Sequence, residues 1–303
     1  MEPARTRARP ARPATPRRWW LRLVGPAIAI LLFSRIDLSD VVGTLAAVRW
    51  VPLTVSLVLV APFFVVKGWR WRLLLDAYGR PIRLLEAVEL YTIAAGAGAF
   101  TPGAIGDFSK GLAPTVGGRA VGLWTSALDR LYDVAILVLL GLAAAAAWLH
   151  DPGSEAALAL SVAGGSAIAW ALRARVVRLI ARALPSFPQD TTAIDRTALP
   201  AAAATVVATG IAFVRFALLV AALGLPLDGF DTFVCFVLTS GVAALPLSIA
   251  GLGTRDALLL GYLRAHGIAS ANAIALSSLC LLLFLWNGII AALLWLFRPP
   301  RSP

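Results

Sequence analysis

The chain has 303 residues, 59% of them hydrophobic and only 14% charged, with a net charge of +11. A mean hydropathy of +0.82 excludes an ordinary water-soluble globular domain, whose apolar share lies nearer one half. The basic residues stand at the ends of apolar runs, as in a polytopic membrane protein, so nucleic acid is not an expected partner.

Residues 1–18 set Arg5, Arg7, Arg9, Arg12, Arg17 and Arg18 against Glu2 alone, and are rich in proline and alanine. Such a tail cannot bury a core and is expected to be disordered, drawn to anionic lipid on the cytoplasmic face. Arg17-Arg18 before Trp19-Trp20 is the start of a twin-arginine export signal in form, but no small-residue cleavage site follows, so a retained anchor is the expectation. Trp19 to Phe33 is then the first membrane segment, short at about 22 Å. Val51 to Val66 is the second, ending at Lys67-Gly68-Trp69-Arg70-Trp71-Arg72. That alternation of aromatic and basic residues suits an interfacial anchor, with Lys67, Arg70 and Arg72 expected to meet lipid headgroups.

Residues 86–119 hold an interruption, Phe100-Thr101-Pro102-Gly103-Ala104-Ile105-Gly106-Asp107-Phe108-Ser109-Lys110. A long helix is expected from Val121 to Trp148 and another segment from Ala156 to Leu172. Arg173, Arg175, Arg178 and Arg182 follow in an amphipathic pattern that Pro185 and Pro188 close. Pro200 to Leu223 crosses next, with Pro200 placed as a helix start. Residues 230–266 contain a second interruption, from Leu245-Pro246-Leu247-Ser248 through Gly251-Leu252-Gly253 to Thr254-Arg255-Asp256. Ala271 to Phe297 is the last crossing. The expected division is a tail at 1–18, one membrane domain at 19–297 and a cytoplasmic tail at 298–303.

With the N-terminus inside, nearly every Lys and Arg outside a membrane segment falls on the cytoplasmic side, leaving only Arg35 and Arg49 opposite. Both termini are therefore expected in the cytoplasm. The same count fixes a parity: residues 86–119 must return to the side they left, and so must 230–266. The expected fold is an all-α polytopic integral membrane protein with about six crossing helices and two re-entrant Pro/Gly-broken hairpins of opposite orientation. Binding is then expected where the two breaks meet, near the midplane. Irregular backbone at that depth is tolerated only where protein buries it or a wet cavity faces it, which makes Pro102, Gly103, Gly106, Pro246, Ser248, Gly251 and Gly253 candidates for the cavity lining.

Several charges lie deep in apolar runs. Arg130 is about 14 Å along its helix by helical rise, and Asp129 and Asp133 can share its side. A charge near the bilayer centre costs about 2.5–3.5 kcal/mol on insertion scales, so these groups should face inward. One reading is an ion-pair network that locks the bundle. The favoured one is a polar path in which Lys110, Arg130, Arg215 and Arg255 face an anionic substrate while Asp107, Asp129, Asp133 and Asp256 position them. Arginine's planar fork suits phosphate oxygens. Cys235 and Cys280 are isolated and read as apolar packers, and no His/Cys/Asp/Glu cluster has metal-ligand spacing, so no metal and no cofactor is expected. No hydrolase, metalloprotease or nucleotide-binding motif occurs, and Asp129 and Asp133 could serve as an acid–base pair without an evident nucleophile.

Lys67-Gly68-Trp69-Arg70-Trp71-Arg72-Leu73-Leu74-Leu75, Thr101-Pro102-Gly103 with Gly106-Asp107, Asp129-Arg130 with Asp133, and Pro246-Leu247-Ser248-Ile249 with Gly251-Leu252-Gly253-Thr254-Arg255-Asp256 occur in that order. Together they resemble the transmembrane region of lysylphosphatidylglycerol synthases, the flippase-like domain family, over about Trp19 to Phe297. The family pattern has Glu-Arg where this chain has Asp129-Arg130, and Arg-Glu where it has Arg255-Asp256. An asparagine common before the first Pro-Gly is replaced by Ala99-Phe100. The resemblance implies movement of lipids or lipid-linked headgroups between leaflets of a bacterial inner membrane. Lysine transfer from lysyl-tRNA is not expected, because 303 residues leave no room for the synthases' soluble domain. Two rivals remain open at the level of sequence: an intramembrane lipid-modifying enzyme, and a non-catalytic subunit of a cell-envelope assembly, with self-association or an envelope-synthesis partner compatible with either. No ATP site is present, so directional transport would draw on a gradient or a partner.

Overall fold

The computed structural model describes residues 38–99, 101–149, 192–244 and 253–298, and all regular structure among them is helical. The tail at 1–18, the segments at Trp19–Phe33 and Ala156–Leu172, the arginine-rich stretch 173–182, and Pro246, Ser248 and Gly251 lie outside the described residues. Among the described residues, three helical stretches are long and apolar enough to cross a membrane: Trp50–Ala77, Thr192–Leu223 and Ser270–Leu296. Shorter apolar helices pack among them, and the protein is an integral membrane protein.

A short helix, α1 (Leu38–Ala46), not anticipated from the sequence, packs against the last helix. Helices α2 (Trp50–Val58) and α3 (Val60–Ala77) form one long rod with a jog at Leu59. Pro62 explains the jog: it cannot donate to Val58, and its ring crowds that carbonyl. The rod continues past Val66, where the sequence reading ended it, because nothing from Lys67 to Ala77 breaks a helix and its basic residues find partners inside the bundle.

Helix α4 (Leu84–Ala99) stops because Pro102 supplies no N–H and holds Thr101 extended, at φ −116° and ψ 139°. The Thr101 hydroxyl stitches the break by donating to the Gly98 carbonyl (3.1 Å) and accepting from the Gly106 N–H (2.7 Å). Residues Pro102–Leu112 then form a 3-10 helix of 11 residues, far beyond the usual three or four, folded back along α4. The return is close: a methyl on Gly106 would lie 2.4 Å from the Ala97 carbonyl carbon. Farther on, Gly117 comes near the Arg80 guanidinium, and Val116 packs with Leu75 and Ile82, so residues 84–116 end beside their own beginning.

Helix α5 (Arg119–Leu149) runs antiparallel to α3, since residues 67, 70 and 71 of α3, and Tyr78 just past its end, meet 133, 129, 125 and 124 of α5. Helix α6 (Thr192–Leu223) carries Pro200 in its interior, eight residues after its start, rather than at its first turn. Helix α7 (Gly229–Ala244) leads to the second interruption, and α8 (Thr254–Ala265) resumes after Gly253, whose φ of 79° favours glycine. Helix α9 (Ser270–Leu296) closes the bundle against α4 and α8. One apolar cluster joins α2, α6, α7, α8 and α9, and a second joins α3 and α4. The polar groups described next lie between them.

Candidate functional site

Arg70 is the centre of the α3–α5 seam and is fully buried. Its Nε donates to Asp129 Oδ1 (2.7 Å), one terminal nitrogen donates to Asp133 Oδ1 (2.7 Å) and to Thr205 Oγ1 (2.8 Å), and the other to the Asp129 carbonyl (3.0 Å). Lys67, one helical turn earlier, donates to Asp133. Lys110 reaches from the 3-10 segment to Asp129 Oδ2 at 2.7 Å, with its ammonium 3.8 Å above the centre of the Tyr91 ring. The geometry follows from periodicity. Lys67 and Arg70 at i and i+3 share a face of α3, Asp129 and Asp133 at i and i+4 share a face of α5, and antiparallel packing brings the faces together. Trp71 Nε1 to Thr125 (3.3 Å) and Trp124 Nε1 to the Tyr78 hydroxyl (2.8 Å) continue the seam.

A cavity of about 430 Å³ opens beside this network, within the size range of small-molecule and cofactor sites. Its polar lining includes Lys67, Asp107, Arg130, Asp133, Arg215 and Arg255, and its apolar lining includes Val134, Leu137, Phe236, Leu283 and Phe284. Arg130 contacts Asp107 at 3.4 Å, with both side chains partly exposed. Arg215 is 5% exposed and is clasped to α2: its Nε donates to the Ser56 carbonyl (3.0 Å), and the Ser56 hydroxyl donates to the Arg215 carbonyl (2.9 Å). One terminal nitrogen donates to Asn287 Oδ1 (3.2 Å), and no carboxylate pairs with Arg215 among the described residues. The ring of Phe63 stands between two cations, with Lys67 Nζ at 5.7 Å and Arg215 Cζ at 5.8 Å from its centre.

At the second interruption Arg255 lines the cavity and donates to the Ser277 carbonyl (3.1 Å), lying 3.6 Å from Asp256 Oδ1. Asp256 itself is 2% exposed. Its Oδ2 accepts the Gly253 N–H at 2.8 Å, and its other oxygen accepts from the Ser277 hydroxyl. It satisfies one of the unpaired donors that every helix N-terminus leaves.

Of the eight charged residues expected to hold substrate, Asp107, Arg130, Asp133, Arg215 and Arg255 share the cavity wall, joining residues from both sides of the bundle. Lys110, Asp129 and Asp256 are buried behind it, engaged with other protein groups. The expectation that Lys67 and Arg70 are exposed anchor residues is corrected: both are buried against carboxylates on α5. Arg72 does stay half-exposed, 3.5 Å from Asp76 on its own helix. Among the interruption residues, Gly106 lies against α4, and Gly253 is buried at the start of α8. Pro102 and Gly103 open the 3-10 segment.

The sequence reading missed Phe63, Thr209, Ser240 and Asn287 as cavity residues, and Thr205 and Ser277 as supports. Apart from Phe63, their common signal is a polar group deep within an apolar run, Asn287 in α9 being the clearest. The comparisons with known proteins add one match: residues 19–297 fit the family described as lysylphosphatidylglycerol synthase TM region. No curated protein and no solved structure matches the chain.

Proposed function

The chain belongs to the lysylphosphatidylglycerol synthase TM-region family, and from that premise we propose that it is a flippase-like transporter. In this reading it moves an anionic phospholipid or a polyprenyl-phosphate-linked headgroup between the leaflets of the bacterial inner membrane. The observation that carries the reading is the mixed lining of the cavity. Guanidinium and ammonium groups share it with aliphatic and aromatic side chains, which suits a headgroup that must travel with its acyl chain.

The return of residues 84–116 to the end of the bundle they left, and the antiparallel run of α3 and α5, support a first hairpin that enters and leaves by the same membrane face. Arg255, from the second interruption, reaches the same cavity as Asp107 from the first, which supports convergence of two hairpins of opposite sense. The distribution of Lys and Arg supports cytoplasmic termini. Chemistry by an Asp129/Asp133 pair is less well supported, because Asp129 is 1% exposed and held by Arg70 and Lys110.

The test is leaflet translocation of labelled lipid by the full chain in proteoliposomes. Arg130→Ala and Arg255→Ala, inserted correctly, are expected to translocate at least about tenfold more slowly, the loss of roughly 1.4 kcal/mol of stabilisation along the path. Rates equal to the parent's would show that the cavity cations take no part.

A further inference from the structure

The charge balance of the polar core narrows the class of ligand. The network around Arg70 sets three cations against two carboxylates, leaving one positive charge over, and the Lys67–Asp133 pair is its edge on the cavity lining. The Arg130–Asp107 and Arg255–Asp256 pairs are each balanced. Arg215 has no carboxylate partner among the described residues, and one of its terminal nitrogens makes no hydrogen bond there. Among the described residues Arg215 therefore brings one unbalanced positive charge to the cavity, the network behind Lys67 carries a second, and Lys67 and Arg215 both lie near the one ring of Phe63. In a low-dielectric bundle each unbalanced charge is costly unless a counter-charge meets it.

A phosphodiester headgroup supplies one negative charge. A phosphomonoester supplies about −1.5 to −2 near neutral pH, and a diphosphate more. On the reading of the cavity as an anionic-lipid site, we infer that the Phe63 wall between Lys67 and Arg215 selects a lipid phosphomonoester or diphosphate over a phosphodiester. Arg215 is the discriminating residue. The clasp to Ser56 fixes its guanidinium in place before any ligand arrives, and the fork suits two phosphate oxygens at once. Asn287 orients the same group from α9. The aliphatic wall at Leu137 and Leu283 takes the first part of the chain.

The experiment measures binding to the purified full chain in detergent micelles. Phosphatidate and phosphatidylglycerol with identical acyl chains are compared, with inorganic pyrophosphate as a lipid-free probe. The expected result is phosphatidate binding at least about tenfold more tightly, a difference of roughly 1.4 kcal/mol. Arg215→Gln is expected to bring that ratio close to one, and Arg215→Lys to keep the preference at lower affinity. Arg264→Gln, at the exposed end of α8 and away from the cavity lining, is expected to leave the ratio unchanged. Pyrophosphate that displaces phosphatidate and also binds alone would support the charge assignment with a soluble phosphate as the source; phosphatidate binding that pyrophosphate neither matches nor displaces would assign it to a lipid headgroup. Equal or tighter binding of phosphatidylglycerol overturns the selectivity while leaving lipid transport standing. Binding of neither lipid overturns both. A preference that survives both Arg215→Gln and Lys67→Gln overturns the site.

Discussion

Two groups of buried cations lie side by side in this bundle, and they are treated differently. Arg70 and Lys110 are closed in: each meets a carboxylate within 2.7 Å, and both are covered by protein. Arg215 and Arg130 are left open, one without a carboxylate among the described residues and the other loosely paired at 3.4 Å. On the proposed reading, the contrast separates a lock from a binding wall. The ion-pair lock offered by the sequence fits the closed group, and the proposed polar path rests on the open one. Breaking one partner of a closed pair strands a charge in the interior, whereas removing an open cation relieves unbalanced charge. Stability and function should therefore respond in opposite proportion to substitutions in the two groups.

The largest expected effect is on the closed side. Arg70→Met leaves Asp129 and Asp133 facing each other with only the lysines to hold them, and should destabilise the fold by about 3–5 kcal/mol, read as a lowered unfolding midpoint in detergent. Next comes the seam between the 3-10 segment and α5, where a methyl on Gly111 would lie 2.2 Å from the Gly122 carbonyl oxygen. Gly111→Ala should cost about 1–3 kcal/mol through overpacking. Gly210→Ala in α6, with nothing within 4 Å, is the neutral or slightly stabilising control by helix propensity. Arg215→Gln gives up charge-assisted hydrogen bonds to neutral acceptors, so its stability loss should stay within about 2 kcal/mol, while lipid binding falls much further. A loss as large as that of Arg70→Met would dissolve the contrast. The smallest effect on stability belongs to Arg72→Ala, whose partly exposed pair with Asp76 should be worth no more than about 1 kcal/mol.

The first interruption was legible because its causes are local: Thr101-Pro102 ends a helix by backbone chemistry alone, and the 3-10 segment follows directly. The inward placement of Arg130 and Arg215 was legible for a similar reason, since a charge deep in an apolar run has few places to go. Lys67 and Arg70 were not. Their partners lie 59 to 66 residues downstream, and aromatic–basic alternation before an anticipated helix end has the composition of an interfacial anchor. The error in placing the end of that helix and the error in placing its charges are one error. Pro200 misled in the same way: proline marks a first turn only when no helical residues precede it, and eight residues of α6 do. The Arg215–Ser56 clasp joins residues 159 apart, and no local pattern announces such a pairing. Asp256, expected to position Arg255, lies 3.6 Å from it and also caps the helix start at Thr254, a second role that the sequence reading did not assign.

The most direct test of the account is lipid translocation across proteoliposome membranes by the parent chain and by Arg215→Gln at matched insertion. The account predicts that the parent moves labelled anionic lipid between leaflets faster than protein-free vesicles, and that the variant, folded and inserted, loses at least about nine-tenths of that rate. Equal rates for parent and variant, or a parent no faster than empty vesicles, would contradict it.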